Sequence, residues 1–216
     1  MKFGDAFTYV FQDQDWFKKL IIPGLVMLIP ILGQIVVLGW SLKVTQNVIR
    51  NDPSPLPELD FGGDLSMGFK ALVVSLVYSL PFLVIYIPFM IITAVAGNSG
   101  DDTMMTIMGI AGACFGLIAA LYGIVIAFII PAAYARTAVE DSIGAGLKFG
   151  EVFAMIKKAF VPYLLVVLGT IVSSFIGSLG SIACVIGVLV TMPYAMAING
   201  HLYGQAYMEA KDLQTL

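Results

Sequence analysis

From Ala159 to Met208 the chain carries no Asp, Glu, Lys or Arg, and from Ala71 to Ala135 its only charges are Asp101 and Asp102. About 20 apolar residues are enough to cross a bilayer as a helix, so these runs leave an integral membrane protein as the class. Composition agrees: 59% of the 216 residues are hydrophobic and 12% charged, against about 25% charged in soluble domains. That is too little polar surface to coat a globule of this size. The lipid bilayer is the first partner implied. There is no basic stripe, which argues against nucleic-acid binding.

Four apolar runs stand out: Leu20 to Leu42, Ala71 to Ala96, Met104 to Ala135, and Val161 to Gln205. The last is too long for one span. "GSLGS", 177–181, suits a turn and divides it into helices over 161–178 and 182–208. "GNSGDDT", 97–103, separates the second and third runs in the same way. The prediction is an all-α, multi-pass bundle forming one integral-membrane domain. Cys114 and Cys184 both lie inside apolar runs and read as packing residues, with no disulfide or zinc spacing. The polar-aromatic opening, with Asp5, Asp13 and Asp15, does not read as a cleavable signal peptide.

Lys and Arg concentrate in cytoplasmic loops. They are absent from both turns, but Lys43, Arg50, Lys70, Arg136, Lys148, Lys157 and Lys158 lie in the long connections and Lys211 in the tail. Lys2, Lys18 and Lys19 precede the first run. If that run bends back, all eleven basic residues share one side. Pro23, Pro30 and Gly33 provide the means, since each proline removes a backbone donor. Arms of about 11 residues reach only about 16 Å, so a re-entrant hairpin is preferred over a single span. Both termini are then cytoplasmic, in the cytoplasmic membrane.

"KFGDAFTYV" at Lys2 returns as "KFGEVFAMI" at Lys148, and more loosely as "DFGGDLSMGFK" at Asp60. Each copy has apolar residues at helical spacing (Phe3, Phe7, Val10, Phe11; Phe61, Leu65, Gly68, Phe69, Leu72; Val152, Met155, Ile156, Ala159, Phe160). Each has an acid near its start and lysine at its end, just before an apolar run. This is the pattern of an amphipathic helix lying in the membrane interface. The chain therefore reads as three pseudo-repeats of interfacial helix plus hairpin, about 1–50, 60–136 and 148–210. Trp16, Lys18, Lys19, Trp40, Lys157 and Lys158 are the expected interfacial anchors.

Sites of chemistry are sparse. Asp13 and Asp15 in a D-x-D spacing, with Glu58 and Asp60, could offer oxygen ligands to Mg²⁺ or Ca²⁺. Helix capping and linker solubility are the stronger reading of these carboxylates, and no cofactor is expected. His201, the only histidine, reads as an interfacial or packing residue. Gly112 and Gly116, and Gly200 and Gly204, form G-x-x-x-G pairs that allow close helix packing. Prolines 81, 88, 131 and 193 read as helix kinks. Gln34, Thr93, Ser173, Ser174 and Asn199 are the polar groups left at depth. Ionisable groups at membrane depth usually mark ion-coupled transport, and the spans hold none.

"FQDQDWFKKLIIPG", followed by "LPELDFGGDLSMGFKALVVSLVYSLP", resembles the uncharacterised prokaryotic membrane family known as domain of unknown function 4013. The elements are Phe11 to Lys19, Leu56 to Asp60, Gly68 to Lys70 and Tyr78 to Pro81. Leu59 stands where tryptophan is common in that family, and Gln14 where proline is. The resemblance implies a fold without a mechanism and transfers no catalytic residue. The function expected is a non-enzymatic accessory or scaffold subunit packing with itself or a larger membrane complex. A passive transporter or channel for a small or lipidic solute, and a lipid-headgroup enzyme using the acidic cluster, are the alternatives.

Overall fold

The structure, a computed structural model, describes residues 1–97 and 102–213, without the side chains of residues 97, 102 and 183–185. Most of the turn expected at 97–103, with Asp101 and the Asp102 side chain, lies outside the described residues, as does the Cys184 side chain. Among the described residues every regular element is helical. Among the described residues three helices are long and apolar enough to cross a membrane: Phe61–Ala96, Thr103–Glu140 and Phe160–Ile182.

The first run is broken. Helix α1 is a single turn, Asp5–Thr8, followed by a 3₁₀ turn at Tyr9–Gln12; α2 spans Trp16–Val26 and α3 spans Leu32–Ile49. Between α2 and α3, Ile31 sits at φ 64°, ψ −60°, and the Leu32 amide donates to the Pro30 carbonyl at 2.7 Å. This is a γ-turn of the rare, strained hand. Gly33 follows because a Cβ there would lie 1.9 Å from the Val26 carbonyl oxygen.

Helix α4 spans Phe61–Gly97 and α5 spans Asp102–Glu140. Contrary to the expectation from its spacing, the second repeated phrase makes no separate interfacial helix but the first turns of the continuous α4. Along these turns the buried residues are Asp64, Met67, Gly68, Ala71 and Val74, while Phe61 and Phe69 of the expected stripe are exposed. Then come the single-turn α6 (Ile143–Gly146), α7 (Phe149–Lys158), α8 (Phe160–Leu179) and α9 (Cys184–Asp212). The break at "GSLGS" is a short 3₁₀ turn, Gly180–Ala183.

The chain divides into two compact units, one of Met1–Val74 with Phe128–Leu216, the other of Ser75–Ala127. The division falls within α4 and α5. In the first unit α9 is the hub, packing on α2, α3 and α8. Its core gathers Leu20, Val37, Trp40, Val44, Leu56 and Ala197.

In the second unit, α4 and α5 pair through a column of rings. Phe82 stacks on Tyr122 at 5.6 Å and Phe89 on Phe115 at 4.4 Å, and the Tyr122 hydroxyl donates to the Tyr78 carbonyl. The aromatics thus face inward, while Val84, Val95, Ile110 and Leu117 are each more than 60% exposed. Ser75 to Gly97 rises about 34 Å at 1.5 Å per residue, matching a hydrocarbon core about 30 Å thick. Lipid is the solvent such a surface requires.

Candidate functional site

The N-terminal segment runs along α9. The Tyr9 hydroxyl donates to the Ala197 carbonyl at 3.1 Å, its ring stacks on His201 at 4.3 Å, and the Tyr194 hydroxyl donates to the Phe7 carbonyl at 2.6 Å. These contacts turn Ala6, Tyr9 and Val10 inward and leave Phe11 exposed. That is why the first phrase does not form the continuous amphipathic helix read from its spacing. Gln205 holds the same segment at both backbone polarities. Its Oε1 accepts from the Lys2 amide at 2.8 Å, and its Nε2 donates to the Lys2 carbonyl at 3.1 Å. Gln205 Nε2 also lies 3.0 Å from His201 Nδ1. An amide nitrogen only donates, so Nδ1 is the acceptor and His201 is a supporting packing residue.

Beside this clamp opens a polar cleft of about 780 Å³, with Asp5, Asn51, Asp52, His201, Gln205 and Glu209 among its walls. The Met1 amino group pairs with Glu209 there. The cleft mixes both signs of charge.

The predicted carboxylates are dispersed among structural tasks. Asp13 Oδ2 takes Lys19 Nζ at 2.6 Å and the Ser54 hydroxyl at 2.9 Å, while Oδ1 caps the Asp15 amide at 2.9 Å. Partial burial pushes the Asp13 carboxyl up. The bonds from Lys19, Asp15 and Ser54 outweigh it and hold the group below its ordinary value. The Asp60 amide donates to Asp64 Oδ2 at 2.7 Å at the start of α4. Asp15 and Glu58 are exposed. Among the described residues no group of three or more His, Cys, Asp or Glu is placed to hold a metal ion.

Two expected anchors are corrected. Trp40 is completely buried, and its indole Nε1 donates to the Pro57 carbonyl at 3.0 Å. The Pro53–Pro57 linker covers it because that is where its ring N–H finds an acceptor. Lys19 turns inward to Asp13 and the Leu56 carbonyl, 3.0 Å away. Trp16 is half-buried, and Lys18, Lys157 and Lys158 are exposed.

Charges that no local pattern in the sequence discloses hold helices together. Asp64 is fully buried and pairs with Lys43 of α3 at 2.6 Å. They meet where Gly39 of α3 crosses Gly68 of α4. A Cβ on Gly39 would lie 1.8 Å from the Asp64 carbonyl oxygen, and one on Gly68 1.8 Å from that of Ile35. The available signal was an acid within a helix whose next 36 residues carry only one other charge before the turn, Lys70. Arg136, near the end of α5, donates from Nε to the Ala145 carbonyl at 3.0 Å and from Nη2 to Glu140 at 2.8 Å, and pairs with Glu151 of α7. Ser173 of α8 donates to Asn199 of α9 at 2.8 Å.

The two G-x-x-x-G pairs differ. At Gly200 and Gly204, added Cβ atoms would lie 2.1 Å from the Ser41 carbonyl oxygen and 3.0 Å from that of Thr45, so the α3–α9 crossing requires them small. Gly112 faces the Phe89 ring at 3.9 Å, whereas Gly116 has nothing within 4 Å. Gly116 belongs instead to a stripe of Gly109, Ala113, Gly116, Ala120 and Gly123, at i, i+4, i+7, i+11 and i+14, every member exposed.

Over residues 22–192 the chain matches the family described as Protein of unknown function (DUF4013). No curated protein matches it, and no solved structure does.

Proposed function

Because the chain belongs to the DUF4013 family, whose description assigns no activity, we propose its function from its surfaces: a non-enzymatic scaffold of the cytoplasmic membrane that pairs with a second copy of itself. The observation that carries this is the small-residue stripe from Gly109 to Gly123, on the outward side of α5. Between membrane helices apolar burial gives no driving force, so small residues that let backbones approach are the usual seam. Alternating spacings of four and three keep such a stripe on one side of a helix for four turns. The basic connections and both chain ends lie on the cytoplasmic side in this reading, which the distribution of the eleven basic residues supports.

Native mass spectrometry in mild detergent tests it. A dimer is expected for the natural chain and a monomer for Gly116→Leu, with helical content unchanged. A natural chain that is monomeric at all detergent-to-protein ratios would sink the reading.

A further inference from the structure

Helix α7 has two dissimilar sides. Val152, Met155 and Ile156 are buried in the first unit and seat the helix there. Phe153, 50% exposed, and Lys157 lie four residues apart on the outward side, and Lys158 is exposed beside them. After Ala159 the charge-free α8 begins at Phe160, itself 53% exposed. This outward surface therefore stands where the chain enters the apolar run.

Its charges are available. Lys19, Lys43, Lys70, Arg136 and Lys148 all face carboxylates within the protein. Lys157 and Lys158 enter no ion pair among the described residues, and the acid of their own helix, Glu151, is engaged by Arg136 and Lys148. Lysine at a helix C-terminus also meets the helix dipole. That does not account for two half-exposed phenylalanines flanking a pair of free ammonium groups at the head of a span.

We propose that this side of α7 binds the anionic headgroups of bilayer phospholipids, Lys157 and Lys158 contacting the phosphates while Phe153 and Phe160 enter the adjoining acyl boundary. The complementarity is of charge and of depth: ammonium groups seek the anionic surface, and aromatic rings the boundary below it. It is independent of self-pairing, because α7 lies outside the α5 stripe.

The test titrates the purified full chain, in mild non-ionic detergent, with phosphatidylglycerol or phosphatidylcholine of identical acyl chains, counting retained lipids by native mass spectrometry. Phosphatidylglycerol is expected to bind more tightly. Lys157→Gln with Lys158→Gln should weaken it about five-fold per lysine and leave phosphatidylcholine unchanged. Lys157→Glu with Lys158→Glu should reverse the preference, and Phe153→Ala should weaken both lipids alike. Lys148→Gln, at the other end of the helix, should keep the preference. Equal binding of the two lipids by the natural chain, or an undiminished preference in the double variants, would overturn the proposal. So would competition by glycerol phosphate at the concentration of the lipid. The dimer fraction is read from the same spectra, so failure of lipid binding and failure of self-pairing are separate outcomes.

Discussion

Replacing Gly39 by alanine adds one methyl group at one of the closest helix crossings in the first unit. The new Cβ would sit 1.8 Å from the Asp64 carbonyl oxygen and 2.6 Å from the Gly68 amide nitrogen. Carbon and carbonyl oxygen tolerate about 3.3 Å, so α3 and α4 must separate by about 1.5 Å. Backbone is on both sides, and no rotamer change relieves the clash. The same separation stretches the 2.6 Å pair between Lys43 and the buried Asp64. Overpacking costs about 1–3 kcal/mol, and weakening a buried pair adds part of the about 3–5 kcal/mol that its outright loss costs. A total near 4 kcal/mol corresponds to a fall of about 8–16 °C in melting temperature for a chain of this size. Thermal unfolding in mild detergent, followed by circular dichroism, measures it. Gly150→Ala on α7 is the control, since its Cβ meets nothing within 4 Å and gains helix propensity. In an Asp64→Ala background the cost of Gly39→Ala should shrink, because one crossing carries both effects. A Gly39→Ala protein melting within about 2 °C of the natural chain would refute the steric reading of the crossing.

Two further outcomes are expected. Ile31→Gly should stabilise the chain by about 1 kcal/mol, since relief of the γ-turn outweighs the entropy glycine adds to the unfolded chain. Ile31 is 73% exposed and its side chain contributes little; equal melting of Ile31→Gly and Ile31→Ala would refute strain at this turn. Asp13→Asn should destabilise at neutral pH by releasing Lys19. Because the Asp13 carboxyl is held below its ordinary value of 3.8, its contribution is complete above that pH and fades as pH falls through the lower folded value. The melting gap between Asp13→Asn and the natural chain should therefore close in strong acid and be constant from about pH 5 to 7; a gap independent of pH throughout contradicts the linkage.

Local features of the sequence carried the helical architecture well. Charge-free length marked α4, α5 and α8 as helices long and apolar enough to span, "GSLGS" marked the turn before α9, and Pro30 with Gly33 marked the break between α2 and α3. What the sequence did not disclose were choices of partner across helices. In the second phrase Phe61, Leu65 and Phe69 looked like an apolar face, yet the crossing with α3 selects Asp64, Met67 and Gly68 for burial. Nothing local marks Asp64 for burial, because its lysine, Lys43, lies 21 positions earlier. Trp40 and Lys19 read as headgroup anchors because periodicity cannot show that the Leu56–Pro57 backbone supplies each with an acceptor. Spacing alone also could not distinguish Gly112, turned toward a phenylalanine, from Gly116, turned outward.

The role of α9 as hub has a consequence for how the protein is made. Residues 184–212 leave the ribosome after every helix they support. Until they arrive, Gln205 and Ala197 are not there to hold Lys2 and Tyr9, and Gly200 is not there to receive Ser41. The ring column of the second unit needs none of them, since it lies wholly within Ser75–Ala127. Synthesis thus delivers a hairpin that can pair early and a larger body whose first residues wait for its last. A stop codon anywhere in α9 would leave the early hairpin intact and the rest of the chain without its centre.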